Sequence, residues 1–204
     1  MTKRIEVPAA PVPLEEYIQH FDSLFGKSNQ REGFRQYLEG LLLSSERAKT
    51  LTGLVNTEPV GGAQQPQAQK LQWFLCESNW DERQLQAQRL KLLREDAPTV
   101  PNAQGVLLID ETGDRKAGHQ TAHVGRQYLG NVGKIDNGVV SLSSLGADEQ
   151  VYYPLETEPY TPESYFAKGR NDPAFRTKLK IALQLVQEAL AQGWPFRAVV
   201  ADSF

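Results

Sequence analysis

The chain is poor in cysteine, methionine and histidine: one, one and three in 204 residues. With Cys76 alone, neither an intramolecular disulfide framework nor a cysteine-based zinc cluster can form, and the composition suits a reducing compartment. No apolar run approaches the roughly 20 residues that a membrane span requires. The stretch Met1 to Pro13 carries Lys3 and Arg4 without an apolar core, so it does not read as a signal peptide. The formal charge of -3 excludes a globally basic coat. It leaves room for a local basic patch, because such patches depend on clustered Lys and Arg rather than on the total. A cytoplasmic chain without a membrane partner is expected. What the chain does have is apolar content of 40%, with eight Phe, seven Tyr and three Trp. That is enough for one large core or two small ones.

Residues 1–13 hold three prolines and predict a flexible arm. From 14 to 97 the pattern is helical. Leu14, Tyr17, Ile18, Phe21, Leu24 and Phe25 recur at three and four, and Phe34, Tyr37, Leu38, Leu41 and Leu42 repeat that spacing after Gly33. A third short helix is expected from about Ser45, a loop over 58–63, and a further helix over 67–76, where Cys76 reads as a small buried side chain. Asn79 with Glu82 three residues on predicts a capped helix running to about Glu95. Pro98 and Pro101 mark a boundary, and a second domain is expected over 102–204. There the period changes. Val106–Ile109 reads as a buried strand. The stretches 138–145 and 149–155 read as two more strands about a short turn, with Pro154, Pro159 and Pro162 forcing a loop. Asp172–Pro173 opens a helix that ends at Gly193, and 197–201 is a fourth strand. The order β-β-β-α-β brings that last strand back parallel to an earlier one. The expected class is α/β, with a mixed sheet behind a helical N-terminal domain.

Two of the apolar runs end in aspartate: Val106–Asp110 and Ala198–Asp202. If their strands are neighbours, the two carboxylates can share Mg²⁺ (or Mn²⁺), a hard ion that takes oxygen ligands and keeps water positions for substrate phosphates. The alternative is that each aspartate simply turns the chain out of its strand. Between them, 115–134 contains no acidic residue and holds Arg115, Lys116, His119, His123, Arg126 and Lys134 among four glycines. Basic groups neutralise phosphates, glycines let a backbone approach them, and Tyr128 offers a face for a base. DNA-binding candidates are therefore Arg115, Lys116, His119, Arg126, Tyr128 and Lys134. His119 and His123 have zinc-like spacing, but the glycines oppose a helix there. Glu111 alternates away from Asp110, and Asp114 is a candidate neighbour of the site.

Leu108–Gly118, Val124–Gly130, Gly133–Asn137 and Val199–Phe204 occur in the order of, and resemble, the segments around the first two aspartates of bacterial insertion-sequence transposases of the DDE superfamily. Asn79–Glu82 looks like part of that family's helical N-terminal region, so the resemblance spans about 70–204. It implies a ribonuclease-H-like catalytic core, two metal ions (Mg²⁺ or Mn²⁺), and cleavage plus strand transfer at transposon ends. DNA ends and target DNA would be the partners, in a nucleoid setting, with a homo-oligomer left open. Asp110 and Asp202 would be the catalytic, metal-binding acids. The family's third acid, a glutamate on a later helix, has no counterpart, so the chain reads as an N-terminal part ending just after the second aspartate, with an incomplete metal site and little activity alone. Two alternatives stand beside this. One is a non-catalytic DNA-binding or inhibitory transposase fragment. The other is a haloacid-dehalogenase-type phosphatase with Asp110 as nucleophile.

Overall fold

The computed structural model describes residues 12–43, 49–56, 64–149 and 151–202. Most of the predicted arm, the expected start of a helix near Ser45 and the predicted loop over 58–63 lie outside them. The chain divides into two compact units, Met1–Lys91 and Leu92–Phe204.

The first unit is helical. Its helices are α1 (Val12–Gln19), α2 (Ser28–Leu41), α3 (Leu51–Leu54), α4 (Pro66–Cys76) and the larger part of α5 (Glu82–Glu95). The expected apolar face is real at its centre: Ile18, Phe21, Phe25, Phe34, Leu71 and Phe74 are buried. Phe34 sits 5.2 Å from Phe21 and 5.1 Å from Phe25, ring centre to ring centre. The predicted first helix is broken, because a short 3-10 turn at Asp22–Leu24 redirects the chain after Gln19. Gln30 is a buried amide with every polar atom engaged. It donates to Ser78 Oγ (3.0 Å) and to the Asn79 carbonyl (2.8 Å), and accepts from the Lys27 amide (3.0 Å). The cap of α5 is not Asn79 but Asp81, whose Oδ1 accepts from the Arg83 amide at 2.9 Å. Cys76, expected inside, is exposed.

The second unit is an α/β sheet with a helix on one face. The strands are β1 (Val106–Arg115), β2 (Gly125–Leu129), β3 (Lys134–Ala147), β4 (Tyr152–Pro159) and β5 (Ala198–Ala201), with α6 (Lys178–Ala191) between the last two. Antiparallel β1 and β3 form the centre. The outer edge of β3 is shared by β2 at one end and β4 at the other, and β5 lies parallel to β1 on the far edge. The mixed sheet, its parallel last strand and the helical N-terminal part are those of a ribonuclease-H-like α/β fold. The strand order gains one member, because β2 forms inside the segment read as a loop. Pro154 does not end β4, which runs on to Pro159. It pairs only with β3, and an edge strand tolerates residues that cannot donate to a ladder. The helix start also moves. Asp172 accepts from the Ala174 amide in a local turn, and Thr177 caps α6 by accepting from Lys180.

Sheet alternation then sorts the side chains. Leu107, Ile109, Val140, Leu142, Tyr153 and Leu155 turn to one face, together with Ile181, Leu185 and Ala189 of α6, and all are buried. Leu129 of β2 joins them by lying over Gly113 and Gly138. A Cβ on Gly138 would come within 2.6 Å of the Asp114 carbonyl and 2.8 Å of Leu129. The opposite face of β1 and β3 carries no helix of the same unit among the described residues, and its positions are exposed or half-buried.

Candidate active site

Both aspartates lie on the open face. β1 pairs with β5 as Val106 with Ala198, Leu107 with Val199, Leu108 with Val200 and Ile109 with Ala201. The next step in that register puts Asp202 beside Asp110, on strands about 4.8 Å apart. One feature differs from expectation. Asp110 is not the end of its strand, since β1 continues to Arg115, each residue paired along β3. The continuation is polar but not wasted on water. Glu111 turns to the core side, where its Oε2 accepts from Lys178 Nζ of α6 at 2.6 Å. Asp202 follows Ala201 at the end of β5 and lines the same cleft as Asp110.

Around them lies a cleft of about 400 Å³. Leu108, Leu145 and Val200 form its apolar part, and Asp110, Thr112, Ser143, Thr157 and Asp202 its polar part. Ser143 is the direct partner of Asp110 across β1 and β3, and its hydroxyl bonds Thr157 Oγ1 at 2.9 Å. Thr112 enters the sequence reading only beside the phosphatase alternative, and Ser143 and Thr157 do not enter it. The alternation of 138–145 carries that signal only once its register against β1 is known. Asp110 Oδ1 accepts from the Glu111 amide at 2.8 Å.

The basic candidates divide. Continuous pairing runs from Ser143 to Lys134 along β3 with no register break against β1 or β2, so odd-numbered β3 residues share the face of Ser143 and Asp110. Ile135 and Asn137 are among them, and their partners Tyr128 and Arg126 share it too. Arg115 and Lys134 stand on the other face with Asp136, whose Oδ2 lies 3.2 Å from Arg115 Nε and 3.7 Å from Lys134 Nζ. The Asn137 amide and these cations hold the Asp136 carboxyl below the usual carboxylate range. Lys116 pairs with Asp114. His119 is exposed in the loop before β2. His123 has a φ of 63° and its Nδ1 lies 2.8 Å from Thr161 Oγ1, which fixes the loop rather than a metal. The loop start is clamped by Asn137, which donates to the carbonyls of Lys116 (2.7 Å) and Gly118 (2.9 Å).

Comparison with known proteins bears directly on this arrangement. A family model described as DDE superfamily endonuclease matches residues 20–204, nearly the whole chain. The chain belongs to the DDE superfamily of endonucleases. Over 198 residues it is 37% identical to a probable transposase for insertion sequence element IS701 from Microchaete diplosiphon. That alignment takes in 96% of this chain and 49% of the relative, so the chain spans about half the length of the transposase it matches. No solved structure matches it. DDE endonucleases generally use divalent metals. The donors seen here suit one such ion: two hard carboxylates side by side leave the rest of an octahedron to water and phosphate oxygens. Among the described residues no group of three acidic, histidine or cysteine side chains gathers to hold a metal. No helix among them is long and apolar enough to cross a membrane.

Proposed function

We propose that this DDE-family chain acts on DNA, and that Asp110 and Asp202 are two of the acids with which the family's metal-dependent cleavage and strand transfer would be carried out. The observation that carries the reading is the parallel register of β1 and β5, which sets the two carboxylates next to each other on the uncovered face of the sheet. Bound there, Mg²⁺ or Mn²⁺ would supply a Lewis acid beside a phosphodiester. The chain's own groups do the rest. Asp110 and Asp202 hold negative charge at a fixed spacing. The Ser143 and Thr157 hydroxyls order the polar wall of the cleft, and Leu108 and Val200 line its apolar part. Arg126 on the same face offers a charge-assisted contact to a phosphate. The helical domain of 14–97 and the core of 102–204 would then be separate working parts.

With two acids and no third gathered beside them among the described residues, we further infer that the 204-residue chain binds divalent ions weakly and cuts DNA little by itself. In that state it would act as a DNA-binding transposase fragment. The phosphatase alternative fits less well, since β1 leads antiparallel into a hairpin and not into a strand–helix unit. Mn²⁺ binding followed by electron paramagnetic resonance, with the wild type against Asp110→Asn and Asp202→Asn, tests the site. Each variant should lose most of the bound Mn²⁺ signal. Equal binding by all three, or metal-dependent nicking that survives in Asp110→Ala, would remove the assignment.

A further inference from the structure

Tyr128 and Ile135 are direct partners across the β2–β3 hairpin. Their relative exposures are 53% and 60%, unusual for an aromatic and a β-branched residue side by side. Cross-strand partners have Cβ atoms about 5 Å apart, so the two form one apolar shelf. It is not a stray patch. Arg126 lies two residues before Tyr128 on the same face, near enough to Asp136 to help lower its pKa. The other cations of the hairpin, Arg115 and Lys134, are held on the opposite face by Asp136. The shelf shares a face with Asp110 through the unbroken pairing of β3. Eight residues separate Ile135 from Ser143, the partner of Asp110. At about 3.3 Å per residue that is at most about 26 Å along the strand, and less through space, since β2 folds over Gly113.

We propose that the Tyr128–Ile135 shelf, with Arg126 at its side, is a stacking platform for unpaired bases of DNA. The inference rests on the reading that the open sheet face carries DNA, and names the form of DNA it prefers. An aromatic ring gains from a base only through the base's π-face. In a paired duplex that face is covered, and exposing it costs a few kcal/mol per step. Single-stranded or splayed segments present it freely. Arg126 on this face suits the adjoining phosphate, which an apolar protein partner would not need.

Fluorescence anisotropy with the full 204-residue chain in EDTA tests this on labelled DNA of one sequence, about 20 nucleotides long, as single strand and as blunt duplex. Tyr128→Ala should weaken single-strand binding about tenfold and duplex binding less than about twofold. Tyr128→Phe should keep the wild-type values. A 2-aminopurine in the single strand should be quenched by the wild type and the Phe variant, and not by the Ala variant. Equal loss on both DNA forms, or no loss on the single strand, overturns the proposal while leaving duplex binding by the open face intact. Absence of binding to either form by the wild type overturns both readings. Circular dichroism of the Ala variant checks folding, which an exposed side chain should not disturb.

Discussion

At the scale of single residues, Asp110 and Glu111 are neighbours in sequence with opposite jobs. The pleat turns Asp110 to the open face and Glu111 to Lys178 of α6. Two substitutions should therefore separate cleanly. Glu111→Gln breaks a half-buried ion pair and should cost about 1 kcal/mol, a fall of about 4 °C in melting temperature, with Mn²⁺ binding unchanged. Asp110→Asn should do the reverse. If Glu111→Gln also removed metal binding, the two-face assignment would be wrong. The direction of Glu111 was legible from alternation alone. Less legible were side chains whose partners lie far off in sequence. Asn79 looks like a cap, but its carbonyl receives Gln30 from 49 positions away, and Asp81 caps instead. Cys76 carries no periodic signal strong enough to predict that it faces solvent.

At the scale of elements, β2 is the strand that composition hid. Its five residues, Gly-Arg-Gln-Tyr-Leu, bury only Leu129, so charge and glycine dominate the local pattern while pairing to β3 decides the structure. Glycine serves here for space rather than flexibility. Gly138→Ala should drive a methyl group into the Asp114 carbonyl and Leu129, costing about 1–3 kcal/mol as overpacking does. Thermal unfolding read at a strand-sensitive wavelength would measure it, and an unchanged transition would contradict the close approach of β2. The hairpin also contains its own brake on charge. Asp136 sits between Arg115 and Lys134 on the face away from the acids, so Asp136→Asn should change DNA binding by the open face less than about twofold in anisotropy, and a large gain would show that DNA also reaches these cations. The pH dependence follows from the lowered pKa of Asp136. A depressed carboxyl adds stability above its unfolded pKa of about 4 and loses it as pH falls through the lower folded value. The ion pairs should therefore persist at pH 4 and fail only in stronger acid. The carboxyl carbon shift of Asp136 followed by NMR would show a midpoint at or above 4 if this is wrong.

At the scale of the molecule, the sequence showed the fold class through the shift from helical to alternating pattern after Pro101, and the pairing of β5 with β1 through the single helical crossover. It did not show how much apolar surface stays uncovered. β5 has no buried residue, and α6 exposes Leu179, Leu183 and Leu190, spaced along one stripe, with Leu183 at 59%. Patches of this kind drive association. The chain should self-associate as concentration rises, and Leu183→Glu should reduce that in analytical ultracentrifugation while changing stability by less than about 0.5 kcal/mol. Unchanged sedimentation would show that the stripe is harmless.

The unbroken run of β3 has an evolutionary corollary. Because side chains swap sides at every position, adding or losing one residue between Ile135 and Ser143 would swing the hairpin shelf away from the carboxylates while each half still paired locally. Changes in pairs would keep the phase but alter the reach by about 7 Å. Length variation in natural variants should therefore fall in the tight turn at 130–133 and the loop at 116–123, leaving the strand between as a measuring rod of fixed length.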